Sequence, residues 1–112
     1  MINISSTRHF QSESGTEAYS ASKGAVASIT HALMMSLADL GITVNCISPG
    51  WIHTGREEEL TREDHLQHPS RRVGKPEDIA RLCLFLSLPD NDFINGADIP
   101  VDGGMTRKMI YE

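Results

Sequence analysis

The fold is decided by the stretch ITVNCI at residues 42–47, a nearly continuous run of β-branched and apolar residues. It stops abruptly at SPG, residues 48–50, as a buried parallel strand does where it enters a loop. A strand that is buried on both faces needs helices packed against it. The stretch therefore predicts an inner strand of an α/β sheet, with neighbouring strands and covering helices supplied by the flanking residues.

A long helix is predicted immediately before this strand, over residues 17–40. That segment contains no proline, residues 24–38 carry no Asp, Glu, Lys or Arg, and Gly41 follows in the position of a helix C-cap. The helix is therefore expected to be apolar on more than one face, which one side of a sheet cannot cover. We expect the chain to self-associate through it.

The remaining elements are shorter. Residues 2–4 and 99–101 are predicted strands, and the proline in the second of them places it at a sheet edge. A second helix is predicted from Pro76 until Pro89 ends it, and residues 51–70 are predicted to form a loop with one helical piece at 56–66. The order strand, helix, strand, helix, strand gives a parallel sheet by the right-handed crossover rule.

Composition excludes several classes of protein. With 112 residues, 39% of them hydrophobic and 22% charged, the chain is expected to be a folded, soluble single domain. Its net charge of −5 and its scattered basic residues argue against a nucleic-acid partner, and no apolar run approaches the roughly 18 residues of a membrane span. Cys46 and Cys83 lie far apart in apolar runs, so we expect reduced thiols and a cytoplasmic setting.

Tyr19 and Lys23 stand four residues apart and so share one face of the predicted helix. A phenol is a weak acid at neutral pH, and a nearby ammonium favours its ionised form, so Tyr19 is a candidate for proton transfer at a carbonyl or alcohol. A Tyr-x-x-x-Lys pair is weak evidence taken alone. The alternative is a half-buried tyrosine beside a surface lysine.

Neighbouring motifs strengthen the first interpretation. Ser6 lies thirteen residues before the tyrosine, YSASK occupies residues 19–23, VNCISPGWIHT residues 44–54, RVGKPEDIA residues 72–80 and VDGG residues 101–104. In this order and spacing the motifs resemble the short-chain dehydrogenase/reductase family, in its single-domain, oxoacyl-reductase-like branch. The resemblance implies the second half of a Rossmann-type, doubly wound parallel sheet over residues 1–112.

The resemblance also implies roles for individual residues. The residue matching Tyr19 is the catalytic acid/base, the one matching Ser6 binds the substrate oxygen, and the one matching Lys23 holds the cofactor ribose. The spacing favours Ser6 over Ser5, which is expected to be a strand-end residue. The nicotinamide of NAD or NADP is expected to contact four residues of the next motif: Pro49, Gly50, Ile52 and Thr54. The implied substrate is a small alcohol or carbonyl compound, and the implied assembly is a homodimer or homotetramer.

In the family, a Gly-rich phosphate-binding turn and the residue that selects between NAD and NADP precede the matched region. We therefore expect the N-terminal cofactor-binding half to be absent, residues 1–112 alone to bind no nicotinamide cofactor, and strand 2–4 to present an unpaired edge. The alternative function is that of a non-catalytic folded fragment, acting as a dimerisation or interaction module. Cofactor binding distinguishes the two.

Three histidines of the loop, His53, His65 and His68, suggest a metal site at first sight. They lack cysteine or carboxylate companions at metal-ligand spacing, so we expect no metal there and predict that they face solvent. Trp51 has two equally favoured interpretations, as a cover for the substrate or as a structural plug.

Overall fold

The computed structural model describes residues 1–111. A three-stranded parallel sheet in the order β1-β2-β3 carries three α-helices. The strands are β1 (Ile2–Ile4), β2 (Asn45–Pro49) and β3 (Asp98–Val101), and the helices are α1 (Glu17–Leu37), α2 (Arg62–Leu66) and α3 (Pro76–Leu86). The predicted α/β class, the parallel sheet and the alternation of strands with helices are confirmed.

The core lies on the central strand, β2. Ile47 is aligned with Ile4 of β1 and Ile99 of β3, and it is fully buried. The strand begins and ends later than the predicted 42–47. The backbone amide of Val44 donates to the side-chain oxygen of Asn95 (2.8 Å) instead of to a neighbouring strand, so pairing starts only at residue 45.

Helix α1 covers the sheet with one face and exposes the other. Thr30 is its one buried residue, and the Thr30 hydroxyl accepts from the Asn3 side-chain amide of β1 (3.1 Å). On the outer face, Ile29 and Met35 are 51% and 70% exposed. The helix ends in a tighter turn, after which Gly41 adopts the left-handed conformation (φ 69°) expected of a C-cap. A helix apolar on more than one face is therefore confirmed.

This outer face gives a prediction of self-association. We expect the polypeptide of residues 1–112 to form dimers or larger assemblies at micromolar concentration, and Met35→Glu to shift it to the monomer, because the charge would be desolvated in the interface. Light scattering measures both masses. Leu84→Glu on α3 is the control, since Leu84 is exposed to the same 70%. A monomeric wild-type chain that unfolds cooperatively would contradict the prediction.

The helical piece predicted over residues 56–66 is broken in two. A short 3-10 turn at Glu57–Glu59 is followed by an extended Leu60, and α2 then begins after Thr61. The Thr61 hydroxyl accepts from the Asp64 amide while the Asp64 carboxylate accepts from the Thr61 amide, a capping box that starts a new helix. These hydrogen bonds hold the pKa of Asp64 below its usual value.

Helix α3 begins at Pro76 as predicted, and Asp78 anchors its first turn. Both Asp78 oxygens accept from the Arg72 guanidinium at 2.7 Å, and one of them also accepts from the Lys75 amide. The hydrogen bonds from Arg72 are the main reason that the pKa of the Asp78 carboxyl lies well below its usual value.

The anchoring of α3 predicts a pH-dependent stability. The Asp78 carboxyl has a lower pKa in the folded than in the unfolded chain. Its contribution to the free energy of unfolding is therefore complete above pH 3.8, the ordinary pKa, and is lost as the pH falls below that value. We expect Asp78→Ala to lower the free energy of unfolding by about 1 kcal/mol at neutral pH, where a helix cap is lost. As the pH falls further below 3.8, the free energies of unfolding of the variant and the wild type should converge. Urea denaturation across this pH range measures the difference, and a constant difference would contradict it.

The two outer strands of the sheet are β1 and β3. β3 carries Pro100 and lies at an edge of the sheet, as predicted. β1 pairs with β2 on one side, and no other strand of residues 1–111 pairs with its second side. Within the same residues, no helix combines the length and apolarity needed to cross a membrane.

Candidate active site

An open cleft of about 800 Å³ lies where the three strands reach their carboxyl ends. Ser6 follows β1, Gly50 follows β2 and Asp102 follows β3, and all three line it. Tyr19, from the first turn of α1, lines the same cleft. The carboxyl edge of a parallel sheet is where ligands bind in open α/β folds, because the strand-to-helix loops converge there.

The two candidate serines have different environments. The Ser5 hydroxyl donates to the Lys23 carbonyl oxygen (2.6 Å) and its amide donates to Ile47, so Ser5 ties the end of β1 to α1 and β2. The Ser6 hydroxyl accepts from the Arg8 amide (3.1 Å), which leaves its own proton available to another acceptor. Of the two, Ser6 is the residue that lines the cleft.

Tyr19 and Lys23 lie on one face of α1, one turn apart. Half of the Tyr19 surface is exposed, and the Lys23 ammonium nitrogen lies 5.8 Å from the centre of its ring. At that distance a cation is attracted to the ring face. The phenol thus stands at the cleft with a positive charge beside it.

The four residues predicted to contact nicotinamide do not share one surface. Gly50 lines the large cleft, Ile52 lines an adjoining cleft of about 350 Å³, and Thr54 lines a separate depression of about 260 Å³. Pro49 pairs with Val101 at the end of β2. The structure therefore brings Gly50 together with Ser6 and Tyr19, while Ile52 lines the adjoining cleft, which shares Trp51, His68 and Asp102 with the large one.

Trp51 lines both the 800 Å³ cleft and the adjoining 350 Å³ cleft and is 42% exposed. Its backbone carbonyl accepts from the Gly74 amide (3.1 Å), and the Gly74 carbonyl accepts from the His53 amide (3.0 Å). The Trp51 backbone is thus fixed, and the residue stays partly exposed at the clefts. This exposure favours a substrate cover over a buried plug.

Gly50 also has a packing role, which gives a prediction. A Cβ atom at this position would lie 2.7 Å from Cβ of Asp102, closer than real contacts allow, and 3.0 Å from its Cα. We expect Gly50→Ala to lower the free energy of unfolding by about 1–3 kcal/mol.

Gly24→Ala is the matched control for this substitution. Gly24 lies within α1, and its added Cβ would meet only His9 at an ordinary 3.9 Å. That variant should be more stable by about 0.5–1 kcal/mol, because alanine favours a helix. Thermal or urea unfolding measures both changes in the free energy of unfolding. Changes of the same sign in the two variants would contradict the packing argument.

Asp102 is a site residue that the sequence-based prediction missed. Burial alone would raise its pKa, but hydrogen bonds from Thr106 and Gly104 hold the pKa of its carboxyl below the usual value. Oδ2 accepts from both the amide and the hydroxyl of Thr106, and Oδ1 accepts from the Gly104 amide. These hydrogen bonds from Gly104 and Thr106 stabilise the turn after β3 at the rim of the cleft. The signal was the VDGG motif, in which an aspartate directly follows a strand.

The prediction that the loop histidines face solvent is wrong for His68. His53 and His65 are partly exposed, but His68 is only 3% exposed. Its Nδ1 lies 2.9 Å from the Asp64 carbonyl oxygen, and its ring centre lies 6.0 Å from that of Trp51. His68 lies in the turn that follows α2, where its amide donates to the His65 carbonyl oxygen (3.2 Å). Within residues 1–111, no three His, Cys, Asp or Glu side chains converge as a metal site requires.

Comparison with known proteins agrees with this geometry. Residues 1–106 match the family model described as enoyl-(acyl carrier protein) reductase. An uncharacterised oxidoreductase of Thermotoga maritima is 52% identical over the whole chain, which covers 47% of that protein. The acetoacetyl-CoA reductase of Cupriavidus necator is 36% identical over 94% of the chain and 44% of its own length.

The same holds for solved structures. An apo SCOR enzyme from Clostridium thermocellum superposes with a TM-score of 0.90 at 50% identity, over 99% of this chain and 43% of that one. The acetoin dehydrogenase YohF of Salmonella typhimurium has a TM-score of 0.83 at 28% identity, over 95% of this chain and 42% of its own. The chain thus spans less than half the length of these relatives. It belongs to the enoyl-(acyl carrier protein) reductase family, within the short-chain dehydrogenase/reductase oxidoreductases.

Proposed function

We propose that this chain carries the catalytic residues of an NAD- or NADP-dependent oxidoreductase that interconverts an alcohol and a carbonyl compound. One observation supports this above the others. Ser6 and Tyr19 line one open cleft, and the Lys23 ammonium lies 5.8 Å from the centre of the Tyr19 ring. Proton transfer at a substrate oxygen needs such a positioned acid/base, and a second hydroxyl can hold that oxygen by a hydrogen bond.

The donor set of the site fits the nicotinamide end of a dinucleotide. Lys23 and Tyr19 offer an ammonium and a hydroxyl to ribose oxygens, and Gly50 keeps the adjoining wall free of a side chain. When bound, the cofactor supplies or accepts the hydride. Tyr19 Oη gives the proton to the carbonyl oxygen in reduction and takes it back in oxidation. Ser6 holds that oxygen, and Lys23 holds the ribose and places a positive charge beside the phenol.

A role as a dimerisation or interaction module is the second candidate. The exposed outer face of α1 and the unpaired side of β1 favour it, because both surfaces can receive another chain. Such a module needs no cofactor. The cytoplasmic setting remains part of the proposal, supported by the free thiols of Cys46 and Cys83.

Cofactor binding tests the proposed function. NADH and NADPH are titrated by calorimetry against two proteins: the polypeptide of residues 1–112, and a chimaera in which these residues replace the matched region of the Clostridium thermocellum protein. We expect the chimaera to bind one or both cofactors and the polypeptide alone to show no measurable binding. A chimaera that folds without binding either cofactor would favour the interaction module. Tight binding by the polypeptide alone would contradict the expectation that its cofactor site is incomplete.

A further inference from the structure

His68 is a buried side chain with one ring nitrogen left for a ligand. The partner of Nδ1 is the Asp64 carbonyl oxygen, which only accepts, so Nδ1 carries the proton. In the neutral ring, Nε2 then holds a lone pair and can accept a hydrogen bond. Nε2 has no hydrogen-bond partner within residues 1–111. Since no buried side-chain nitrogen or oxygen of these residues lacks a partner, Nε2 keeps some accessible surface, and His68 lines both the 800 Å³ cleft and the adjoining one.

The surroundings of His68 hold its ring in place and supply further hydrogen-bonding groups. Trp51 lies tilted against its ring, and the preceding α2 is locked by the Thr61 capping box. The same cleft is lined by Arg8, Gln11, Glu13 and Gln67, and Arg8 forms an ion pair with Glu13 (2.7 Å). A wall with this many donors and acceptors offers several hydrogen bonds to a polar ligand.

We propose that His68 determines specificity: its Nε2 accepts a hydrogen bond from a substrate hydroxyl other than the one that reacts, which selects polyhydroxylated substrates over simple alcohols. This inference rests on the proposed function, because it takes the cleft of Ser6 and Tyr19 as the substrate site. His68 itself takes no part in proton or hydride transfer. Its role is recognition of a second oxygen, at the wall that Trp51 shares.

Nitrogen NMR of the 112-residue chain, labelled with ¹⁵N at histidine, tests the inference without any turnover. At about pH 8, where neutral imidazole is the ordinary form, the His68 ring should carry its proton on Nδ1. Added cyclohexane-1,2-diol should move the Nε2 resonance in a saturable way, whereas cyclohexanol should not. A proton on Nε2, or equal responses to the two alcohols, would overturn the proposal.

Two variants separate recognition from folding. His68→Asn keeps a donor near the Nδ1 position and removes the Nε2 acceptor. Half-saturation with the diol, followed on the Trp51 amide in uniformly ¹⁵N-labelled chains, should therefore need about tenfold more diol. His68→Gln places an amide oxygen near the Nε2 position and should restore most of the affinity. Unchanged affinity in His68→Asn would overturn the proposal; if that variant does not fold, the wild-type titration decides. The diol response is independent of cofactor binding, so failure of the proposed oxidoreductase function is recognised separately by the chimaera titration.

Discussion

Tyr19→Phe in the chimaera is expected to lower kcat at least about 100-fold, the lower range of what a positioned acid/base contributes. Phenylalanine keeps the ring and its contact with the Lys23 ammonium, and it removes the one hydroxyl proposed to transfer the proton. Cofactor affinity should therefore change little. Steady-state kinetics and calorimetry measure the two quantities.

The chain offers a matched control for this substitution. Tyr111 is its other tyrosine, and it is 78% exposed and does not line the cleft. Tyr111→Phe removes the same hydroxyl and should leave kcat unchanged. If Tyr19→Phe keeps more than a tenth of the activity, Tyr19 is not the acid/base.

Lys23→Ala should reduce both kcat and cofactor affinity, each by about tenfold or more. The two effects appear together because the ammonium is proposed to hold the cofactor ribose and to stand beside the phenol, and hydrogen bonds to charged groups are among the stronger ones. Lys75→Ala is the control, since Lys75 is an exposed lysine outside the cleft. A variant with a lower kcat but unchanged cofactor affinity would remove the ribose-binding role.

The strands and helices were predicted from local sequence patterns, but their first and last residues were not. The β-branched run before SPG predicted β2, yet the observed strand begins at Asn45 because the side chain of Asn95, 51 residues after Val44, accepts the hydrogen bond of the Val44 amide. Periodicity carries no information on such a distant partner. The break between the two helical pieces of the loop was, by contrast, visible in the sequence: Thr61 and Asp64 have capping-box spacing.

The candidate site was predicted where its residues lie on regular elements. Helical spacing places Tyr19 and Lys23 on one face, and the structure confirms that they are neighbours. The loop after β2 has no periodic pattern, so its path depends on tertiary contacts such as that between Trp51 and Gly74. For this reason neither the separation of Thr54 from the large cleft nor the burial of His68 was predicted.

Transfer of deuterium tests the central claim, that the cleft of Ser6 and Tyr19 is the active site of a nicotinamide-dependent oxidoreductase. The chimaera is incubated with a ketone and with NADH or NADPH carrying deuterium at the reactive carbon of the nicotinamide ring, and the product is analysed by mass spectrometry. The account predicts an alcohol with one deuterium on its carbinol carbon, and almost none when Tyr19 is replaced by phenylalanine. A folded chimaera that gives no deuterated alcohol, or that gives equal amounts with and without the Tyr19 hydroxyl, would contradict it.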